Sequence, residues 1–288
     1  VSRLEDLLHS LKGFYGVLPP PPRDPFTLFV WEVMSAHSTP RARPSRALRA
    51  RHPPRRQLPS EHLRLLPFAY HPTARAGNRR RQVVDEMVRR NFKKAVVGVS
   101  GGVDSAVTAY LATRALGPRN VVGVRMPYRT SSAESLDHGQ LVIDALRIES
   151  RTVDITSAVD GYLANEPDAD PGRRGNVMAR VRMIILFDLS AKHRAIPLGT
   201  GNKSERLLGY FTWHADDSPP INPLGDLFKT QVWALARHLG IPDVIVSKPP
   251  TADLVVGQTD EGDFGISYAK ADAILDWILN GYDVDDVV

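Results

Sequence analysis

One stretch of this chain, residues 95–107, limits the possible folds more than any other. Its sequence is Ala-Val-Val-Gly-Val-Ser-Gly-Gly-Val-Asp-Ser-Ala-Val. The first five residues form a short apolar run rich in valine, typical of a central parallel strand buried on both faces. Gly101 and Gly102 lack a Cβ atom, so backbone amides can close around a bound group, and Asp104 and Ser105 then open an apolar helix. A strand, a glycine turn and a helix N-terminus in this order predict an anion site, and the anion we expect is phosphate.

From residue 80 onward the chain alternates between strand and helix patterns. Short apolar runs predict strands at residues 95–99, 121–125, 151–155 and 196–199. Amphipathic stretches predict helices at residues 82–91, 104–116, 132–146, 156–164, 176–193, 226–239 and 268–279. In the third of these helices we expect Leu136, Leu141, Val142 and Leu146 to face inward. This alternation predicts an α/β fold with a doubly wound parallel sheet, in which ligands bind beyond the carboxyl ends of the strands.

The charge of the chain is unevenly distributed. The net charge is +5, but residues 40–81 contain twelve arginines, no lysine and one acidic residue, a net charge of +11. With −1 on residues 1–39, residues 82–288 carry −5. The basic segment is also rich in proline, so we expect a loose arm that touches nucleic acid, if at all, only through residues 40–81. We therefore divide the chain into a non-catalytic extension, residues 1–79, and a catalytic domain, residues 80–288.

Composition excludes several other kinds of site. The chain has no cysteine, which excludes disulfides, zinc–thiolate and iron–sulfur sites and a thiol nucleophile. No apolar run approaches the roughly 18 residues of a membrane span, and no secretory leader is visible, so we expect a cytoplasmic protein.

Two further stretches carry candidate ligand-binding residues. Arg180 and Arg182 lie about 200° apart on a helix, so we expect one to reach a ligand and the other a neighbour. Residues 198–205 repeat the order of strand, glycine turn and helix start. If both turns follow adjacent strands, they can face one ligand, and Glu205 can share a magnesium ion with Asp104.

A third stretch combines a lysine with a proline-containing loop. Lys229 lies early in a predicted helix and is a candidate charge for a triphosphate, although it can also be simply exposed. Residues 247–261 hold two consecutive prolines in a polar segment, which is typical of an ordered loop that acts as a lid.

The glycine turn at residues 100–105 belongs to a particular kind of phosphate loop. No Gly-Lys-Ser/Thr follows the glycines, and the spacing is not G-x-G-x-x-G, so two common nucleotide loops are excluded. Ser-Gly-Gly-x-Asp-Ser resembles the loop of enzymes that cleave ATP between its α- and β-phosphates. That resemblance implies that Asp104 binds magnesium beside the pyrophosphate.

Residues 80–282 as a whole resemble the ammonia-dependent NAD synthetases. Besides the phosphate loop, the resemblance rests on Gly199-Thr200 with Glu205, Gly209-Tyr210-Phe211-Thr212, Lys229-Thr230-Gln231 and the segment Lys-Pro-Pro-Thr-Ala-Asp-Leu at 248–254. It implies a ligase with an adenine nucleotide α-hydrolase-like fold. In the implied reaction ATP adenylates the nicotinate carboxylate of deamido-NAD, and ammonia then displaces AMP. The resemblance also implies a homodimer with substrate bound at its interface.

The same resemblance implies roles for individual residues. ATP would contact Ser100, Gly101, Gly102, Val103, Asp104, Ser105, Ala106, Val107, Thr200, Lys229 and Thr251. Magnesium would bind Asp104 and Glu205. Deamido-NAD would contact Arg182 and Asp216, and catalysis would involve Asp104, Lys229 and Asp216, the last by holding or deprotonating ammonium.

The sequence departs from the family pattern in one loop. After Phe211-Thr212, many relatives have Lys-Tyr-Gly-Asp and a second aspartate four residues on. This chain has Trp-His-Ala-Asp at 213–216, and Pro220 stands where the second aspartate would be. The nicotinate and ribose contacts of this loop therefore stay open. Glutamine-dependent members add an amidase domain with a nucleophilic cysteine, and this chain has no cysteine. We therefore expect free ammonia, or ammonia from a separate protein, as the nitrogen source.

Other interpretations stay open. A GMP synthetase-like amidoligase would share the phosphate loop, although the chain ends at Val288 without the dimerisation domain of that family. A nucleic-acid-binding protein would act through the arginine-rich arm. Residues 1–40 also resemble the first helices of endonuclease III-type DNA glycosylases, but without the catalytic motifs of that family.

Overall fold

The computed structural model describes residues 72–252 and 257–280 of the chain. Of these residues, 72–206, 210–252 and 257–272 belong to the unit that carries the sheet and the helices around it. The remaining described residues, 207–209 and 273–280, belong to a second unit. The predictions for residues 1–71, including the arginine-rich arm and the glycosylase resemblance, lie outside the described residues.

Strands and helices alternate along the described chain. The strands are β1 (Lys94–Gly98), β2 (Val121–Arg125), β3 (Glu149–Thr152) and β4 (Ala195–Leu198). The helices are α1 (Pro72–Arg89), α2 (Val103–Leu116), α3 (Ala133–Leu146), α4 (Thr156–Leu163), α5 (Pro171–His193), α6 (Lys203–Leu208), α7 (Lys229–Leu239), α8 (Asp243–Val246), α9 (Asp260–Phe264) and α10 (Tyr268–Leu279). A short 3₁₀ turn, Pro118–Asn120, precedes β2.

All four strands are parallel and lie in the order β3-β2-β1-β4. The chain therefore builds outward from β1 to β3 and then returns to place β4 on the other side of β1. The direction of winding reverses between β1 and β4, and a parallel sheet opens a crevice at the carboxyl ends of two such strands. Residues 99–105 follow β1 and residues 199–205 follow β4, so both loops border this crevice.

Strands β1, β2 and β4 are buried on both faces, which explains their apolar, largely valine-rich sequences. In β1, Ala95 and Val97 join a core formed with α1, α2, α3 and α7, whereas Val96 packs with Leu186 and Leu189 of α5. Side chains of successive strand residues point to opposite faces, so a strand covered on both sides must be apolar at every position. The doubly wound parallel sheet predicted from the sequence is confirmed.

Helix and strand boundaries depart from the predictions where a cap or an edge decides them. Helix α1 begins ten residues earlier than predicted, at a proline suited to the first helical turn, and the chain leaves it at Asn91, whose φ is 57°. Asp170 caps α5 by accepting a hydrogen bond from the Arg173 amide at 2.7 Å, so that helix also begins earlier, at Pro171. Strand β3 lies at the edge of the sheet, and its side chains are exposed. An exposed strand has no apolar run to mark its position, and β3 begins at Glu149, two residues before the predicted start.

The inward face of α3 was predicted partly wrongly. Val142 and Ile143 are buried, but Leu141 is 40 % exposed. The buried stripe of the helix runs through Ser135, His138, Gly139 and these two residues. Leu141 lies off that stripe, and an isolated exposed leucine is common on protein surfaces.

No helix among the described residues is long and apolar enough to cross a membrane.

Neighbouring residues of α3 allow the helix orientation to be tested. We expect Ile143→Ala to lower the free energy of unfolding by about 3 kcal/mol, because the substitution leaves a cavity in the core. We expect Leu141→Ala, the matched control, to lower it by less than about 1 kcal/mol. Urea denaturation followed by circular dichroism measures both. Equal losses in the two variants would contradict the observed orientation of α3.

Candidate active site

A cavity opens at the carboxyl ends of β1, β2 and β4, where the topology predicts a ligand. One end is mainly apolar and is lined by Val124, Met126, Met183 and Leu186. The other end is polar and charged, with the loop after β1, the loop after β4 and the first residue of α7. The cavity therefore suits a ligand with an apolar ring at one end and charged groups at the other.

The loop after β1 is shaped by its own hydrogen bonds and by Gly101. The Ser105 hydroxyl accepts a hydrogen bond from the Ser100 amide at 3.2 Å and donates one to the Gly102 carbonyl at 2.9 Å. Gly101 has a φ of +86°, and a Cβ atom there would lie 2.2 Å from the main-chain oxygen of Ser135. Only glycine fits this position. Gly102, which has no side chain to cap the helix, precedes α2, so the first amides of α2 are free to meet an anion.

A cluster of charged side chains lies between this loop, α6 and α7. Lys229, at the start of α7, places its Nζ 2.5 Å from Asp104 Oδ2 and 3.5 Å from Glu205 Oε1. The side chain of Lys229 is 3 % exposed, so this ion pair is withdrawn from water. The three residues come from three separate elements that the fold brings together at one point.

Asn202 joins the two carboxylates of the cluster. Its amide Nδ2 donates to Asp104 Oδ1 at 2.9 Å, and its backbone amide donates to Glu205 Oε2 at 3.0 Å. Its Oδ1 accepts from the Glu205 amide at 2.9 Å. Asn202 is completely buried, and it therefore fixes the relative positions of Asp104 and Glu205.

Burial and mutual repulsion change the protonation of this cluster. Burial, and then the neighbouring Asp104 carboxylate, raise the pKa of Glu205 well above its ordinary value. Burial lowers the pKa of Lys229, but Asp104 and Glu205 outweigh that effect, and the pKa of the lysine ends above its usual range. Lys229 is thus a permanent positive charge in the wall of the cavity.

Asp260 is a third carboxylate at this end of the cavity. Its Oδ2 accepts a hydrogen bond from the hydroxyl of Tyr268 at 2.9 Å, and its backbone amide donates to Pro250 at 3.0 Å. Burial raises the pKa of Asp260. Through these bonds Asp260 joins α9 and α10 to the segment that precedes Thr251.

A buried aspartate, Asp272 of α10, holds the starts of α6 and α7. Its Oδ1 accepts from the hydroxyl of Ser204 at 2.5 Å, and its Oδ2 accepts from the amide and the hydroxyl of Thr230 at 2.9 and 2.8 Å. The Ser204 oxygen in turn accepts from the Lys229 amide at 2.8 Å. Asp272 thus satisfies, directly and through Ser204, two of the amides that open α7.

Two predicted substrate residues, Arg182 and Asp216, line the cavity. Arg182 donates from Nε to the Met126 carbonyl at 3.2 Å, and Asp216 accepts from the Thr212 amide at 3.2 Å. Burial raises the pKa of Asp216. Arg180 is exposed outside the cavity and donates to the Asn176 carbonyl of its own helix, so the two arginines separate as predicted.

Most residues predicted to contact ATP line this cavity. They are Ser100, Gly102, Val103, Asp104, Ser105, Thr200, Lys229 and Thr251, and the cavity wall also includes the predicted Glu205, Arg182 and Asp216. Gly101 is not among the wall residues, and the side chains of Ala106 and Val107, on α2, are buried in the hydrophobic core. In the altered loop, Trp213 is 67 % exposed and Pro220 is exposed, and neither belongs to the cavity wall, whereas Pro219 does.

The sequence analysis assigned no individual role to four residues that shape the site. Asn202, Asp260 and Asp272 are buried polar groups, and Lys248 lies in the cavity wall. Asn202 had a local signal, since it stands in the glycine turn after β4. Lys248 and Asp260 lie in the predicted lid segment, residues 247–261, but nothing local indicated that their side chains are largely buried. Asp272 is brought to the site only by tertiary contacts.

Comparison with known proteins places the chain in one family. The family model described as NAD synthase matches residues 77–288. The NH(3)-dependent NAD(+) synthetase of Chlorobaculum parvum is 50% identical over 195 residues, covering 68% of this chain and 70% of the relative. The protein of the same name from Fusobacterium nucleatum is 49% identical over 195 residues, covering 66% and 76%.

Two solved structures of synthetases have folds similar to that of this chain. NMN synthetase from Francisella tularensis has a TM-score of 0.70 at 31% identity, covering 76% of this chain and 90% of that chain. NH3-dependent NAD synthetase from Campylobacter jejuni has a TM-score of 0.64 at 28% identity, covering 76% and 91%.

The role of Asp272 can be tested by stability. We expect Asp272→Ala to lower the free energy of unfolding by about 3 kcal/mol, because it leaves buried donors of Ser204 and Thr230 without an acceptor. Asp276→Ala, one turn further along α10, is the matched control, with an expected loss below about 1 kcal/mol. Thermal and urea denaturation measure both variants. A loss for Asp272→Ala no larger than that of the control would contradict the proposed anchoring.

Proposed function

The chain belongs to the NAD synthase family, and from that membership we propose how its cavity carries out the reaction. It is an enzyme of NAD biosynthesis, a ligase that uses ATP to activate the nicotinate carboxylate of deamido-NAD and ammonia to form the amide. The resemblance found in the sequence is confirmed, and this activity is favoured over a GMP synthetase-like ligase or a nucleic-acid-binding protein. One observation supports this cavity as the active site: the phosphate loop, Asp104, Glu205 and Lys229 converge there.

We propose that ATP lies along the cavity with its triphosphate on the loop after β1. The amides of residues 100–105 and the start of α2 would hold phosphate oxygens, with Gly101, Ala106 and Val107 contributing through backbone alone. The apolar end, with Val124 and Met183, would receive the adenine. Thr200 and Thr251 would contact the nucleotide from the loop after β4 and from the lid segment.

Asp104 and Glu205 fit a magnesium site. Magnesium prefers carboxylate oxygens and usually completes its shell with water and substrate phosphates. Among the described residues no group of three or more His, Cys, Asp or Glu side chains could hold a metal ion, so phosphate oxygens would have to supply the remaining ligands. When bound, the ion would neutralise charge on the phosphates of ATP.

The first chemical step is adenylation. A carboxylate oxygen of the nicotinate group attacks the α-phosphorus of ATP, the bond from that phosphorus to the bridging oxygen breaks, and pyrophosphate leaves with the electron pair. We assign Lys229 and the loop amides to stabilise the charge that develops on the leaving pyrophosphate. Their preorganisation by Asp272 and Asn202 supports this assignment.

The second step forms the amide. Ammonia attacks the carbonyl carbon of the adenylate, AMP leaves with the electron pair of the broken bond, and the nitrogen loses a proton. We assign Asp216 to hold ammonium and to accept the proton that converts it into ammonia before the attack, because burial raises the pKa of this carboxyl and makes its carboxylate a stronger base. The proton that the nitrogen loses after the attack passes to water. Arg182 would orient the dinucleotide, and the lid segment around Thr251 would exclude water, which would otherwise hydrolyse the adenylate.

We extend the proposal to domains, location and assembly. The catalytic domain would comprise residues 80–288, which the match of the family model at residues 77–288 supports, with residues 1–79 as a non-catalytic extension. The need for ATP supports a cytoplasmic location. A homodimer is supported by two large apolar side chains one turn apart on α5, Ile184 and Phe187, which are 68 % and 41 % exposed.

The activity is tested by NAD formation from deamido-NAD, ATP, magnesium and ammonium. We expect one AMP and one pyrophosphate per NAD, and a loss of at least about a hundredfold in Asp104→Ala, because a charge and a magnesium ligand are removed together. Chelation of magnesium should abolish turnover of the wild type. Asp85→Ala, which removes an exposed carboxylate of α1 outside the cavity, serves as the control.

The outcomes of this assay are distinct. Turnover of nicotinate mononucleotide in preference to deamido-NAD would change the substrate to that suggested by the NMN synthetase neighbour. Release of pyrophosphate without NAD would mean that adenylation occurs but that amide formation fails, and would point to the altered loop. Absence of any ATP-dependent product would contradict the proposed site.

The dimer is tested by light scattering coupled to size exclusion. We expect the wild type to elute with twice the monomer mass, and the double variant Ile184→Arg with Phe187→Arg to elute as a monomer with weaker binding of deamido-NAD. Val88→Arg, at a position 72 % exposed on α1, is the control and should stay dimeric. A monomeric wild type at micromolar concentration would contradict the proposal.

A further inference from the structure

Lys248 lies in the wall of the cavity and has no part in the two chemical steps. Its side chain is 13 % exposed, and its Nζ donates a hydrogen bond to the hydroxyl of Ser135 at 2.8 Å. Among the described residues, the carboxylate paired with it is that of Glu134, 3.8 Å away and 62 % exposed. Lys229, by comparison, has two carboxylates within 3.5 Å. Lys248 is therefore a largely buried positive charge with weak compensation from the described part of the chain.

Such a charge is costly unless a counter-charge approaches it. Taking an ammonium out of water disfavours the folded state unless it is paired and hydrogen-bonded. An ammonium has three N–H donors, and Ser135 accepts from only one of them. The contact with Glu134 is too long for a hydrogen bond. An anion in the cavity is the acceptor that would complete the environment of Lys248.

The position of Lys248 selects the kind of anion. The main-chain oxygen of Ser135 packs against Gly101 so closely that no Cβ fits between them. Lys248, which is bonded to Ser135, therefore lies on the α3 side of the phosphate loop, whereas Lys229 contacts Asp104 from the side of α7. Of these two ammonium groups in the cavity wall, only that of Lys229 is neutralised by close carboxylates.

We propose that Lys248 binds the β- and γ-phosphates of ATP and the pyrophosphate that leaves. This role rests on the proposed function and adds a residue to it. Lys248 stands three residues before Thr251, so a phosphate held by Lys248 also fixes the first residues of the lid segment against the nucleotide. The competing explanation is a purely structural role, in which the contacts of Lys248 with Ser135 and Glu134 hold this segment against α3 (fastening).

The test is the strength of phosphate binding in Lys248→Ala. We expect the KM for ATP and the inhibition constant of pyrophosphate each to rise about tenfold, the usual size of one lost hydrogen bond to a charged group. The KM for deamido-NAD should change less than about twofold, because only the phosphate contact is lost. Lys248→Arg keeps the charge and should retain most of the affinity.

Matched variants separate phosphate binding from fastening. Lys270→Ala removes an exposed lysine of α10 and should leave both constants unchanged. Glu134→Gln removes the ionic contact with α3 and should also leave them unchanged. A rise in Glu134→Gln equal to that in Lys248→Ala would overturn the proposal in favour of fastening, as would a Lys248→Ala variant indistinguishable from Lys270→Ala.

Calorimetric titration with magnesium pyrophosphate separates this proposal from the function itself. Binding that weakens in Lys248→Ala, in a chain that forms no NAD, would support Lys248 and contradict the activity. NAD formation with unchanged pyrophosphate binding in Lys248→Ala would support the activity and overturn the role of Lys248. A wild type that does not bind pyrophosphate would overturn the role of Lys248 directly.

Discussion

The buried ion pair between Lys229 and Asp104 is the interaction on which the site depends. It joins the loop after β1 to the start of α7, two elements 125 residues apart in the chain. Both groups are largely withdrawn from water, so removal of either leaves an uncompensated buried charge, which typically costs about 3–5 kcal/mol. Asn202 and Asp272 hold the elements that carry this pair. Burial of charged groups lowers stability, and a buried charge cluster in the wall of a cavity is therefore typical of a site for an ionic ligand. The ligand that we propose is a triphosphate.

The sheet topology explains why these groups meet. Because β1 and β4 are neighbours with opposite directions of winding on either side, their following loops open toward the same crevice. Asp104 follows β1, Glu205 follows β4, and Lys229 begins the next long helix. The apolar core beneath them, filled on both faces of β1, keeps the loops at a fixed distance. Chemistry at the site is thus a consequence of strand order rather than of sequence proximity.

Local sequence patterns carried much of this information. The apolar, valine-rich run at 95–99 indicates a buried parallel strand, and the two glycines after it indicate a tight turn. From these features the fold class and most wall residues of the phosphate loop could be predicted. Leu141 shows the limit of such patterns, because a single apolar residue beside a buried stripe is not distinguished by periodicity. Asp272 and Lys248 show another limit. An aspartate or a lysine in a polar stretch has no local signal of burial, and only the tertiary contacts with Ser204, Thr230 and Ser135 reveal it.

The most direct test is a crystal structure with a non-hydrolysable ATP analogue and magnesium. The proposed binding mode predicts phosphates on the amides of residues 100–105, between the ammonium groups of Lys229 and Lys248, with the metal beside Asp104 and Glu205. The adenine should lie at the apolar end near Val124. A nucleotide bound elsewhere, or a triphosphate that leaves the loop after β1 unoccupied, would contradict the central claim that this charged cluster exists to hold ATP.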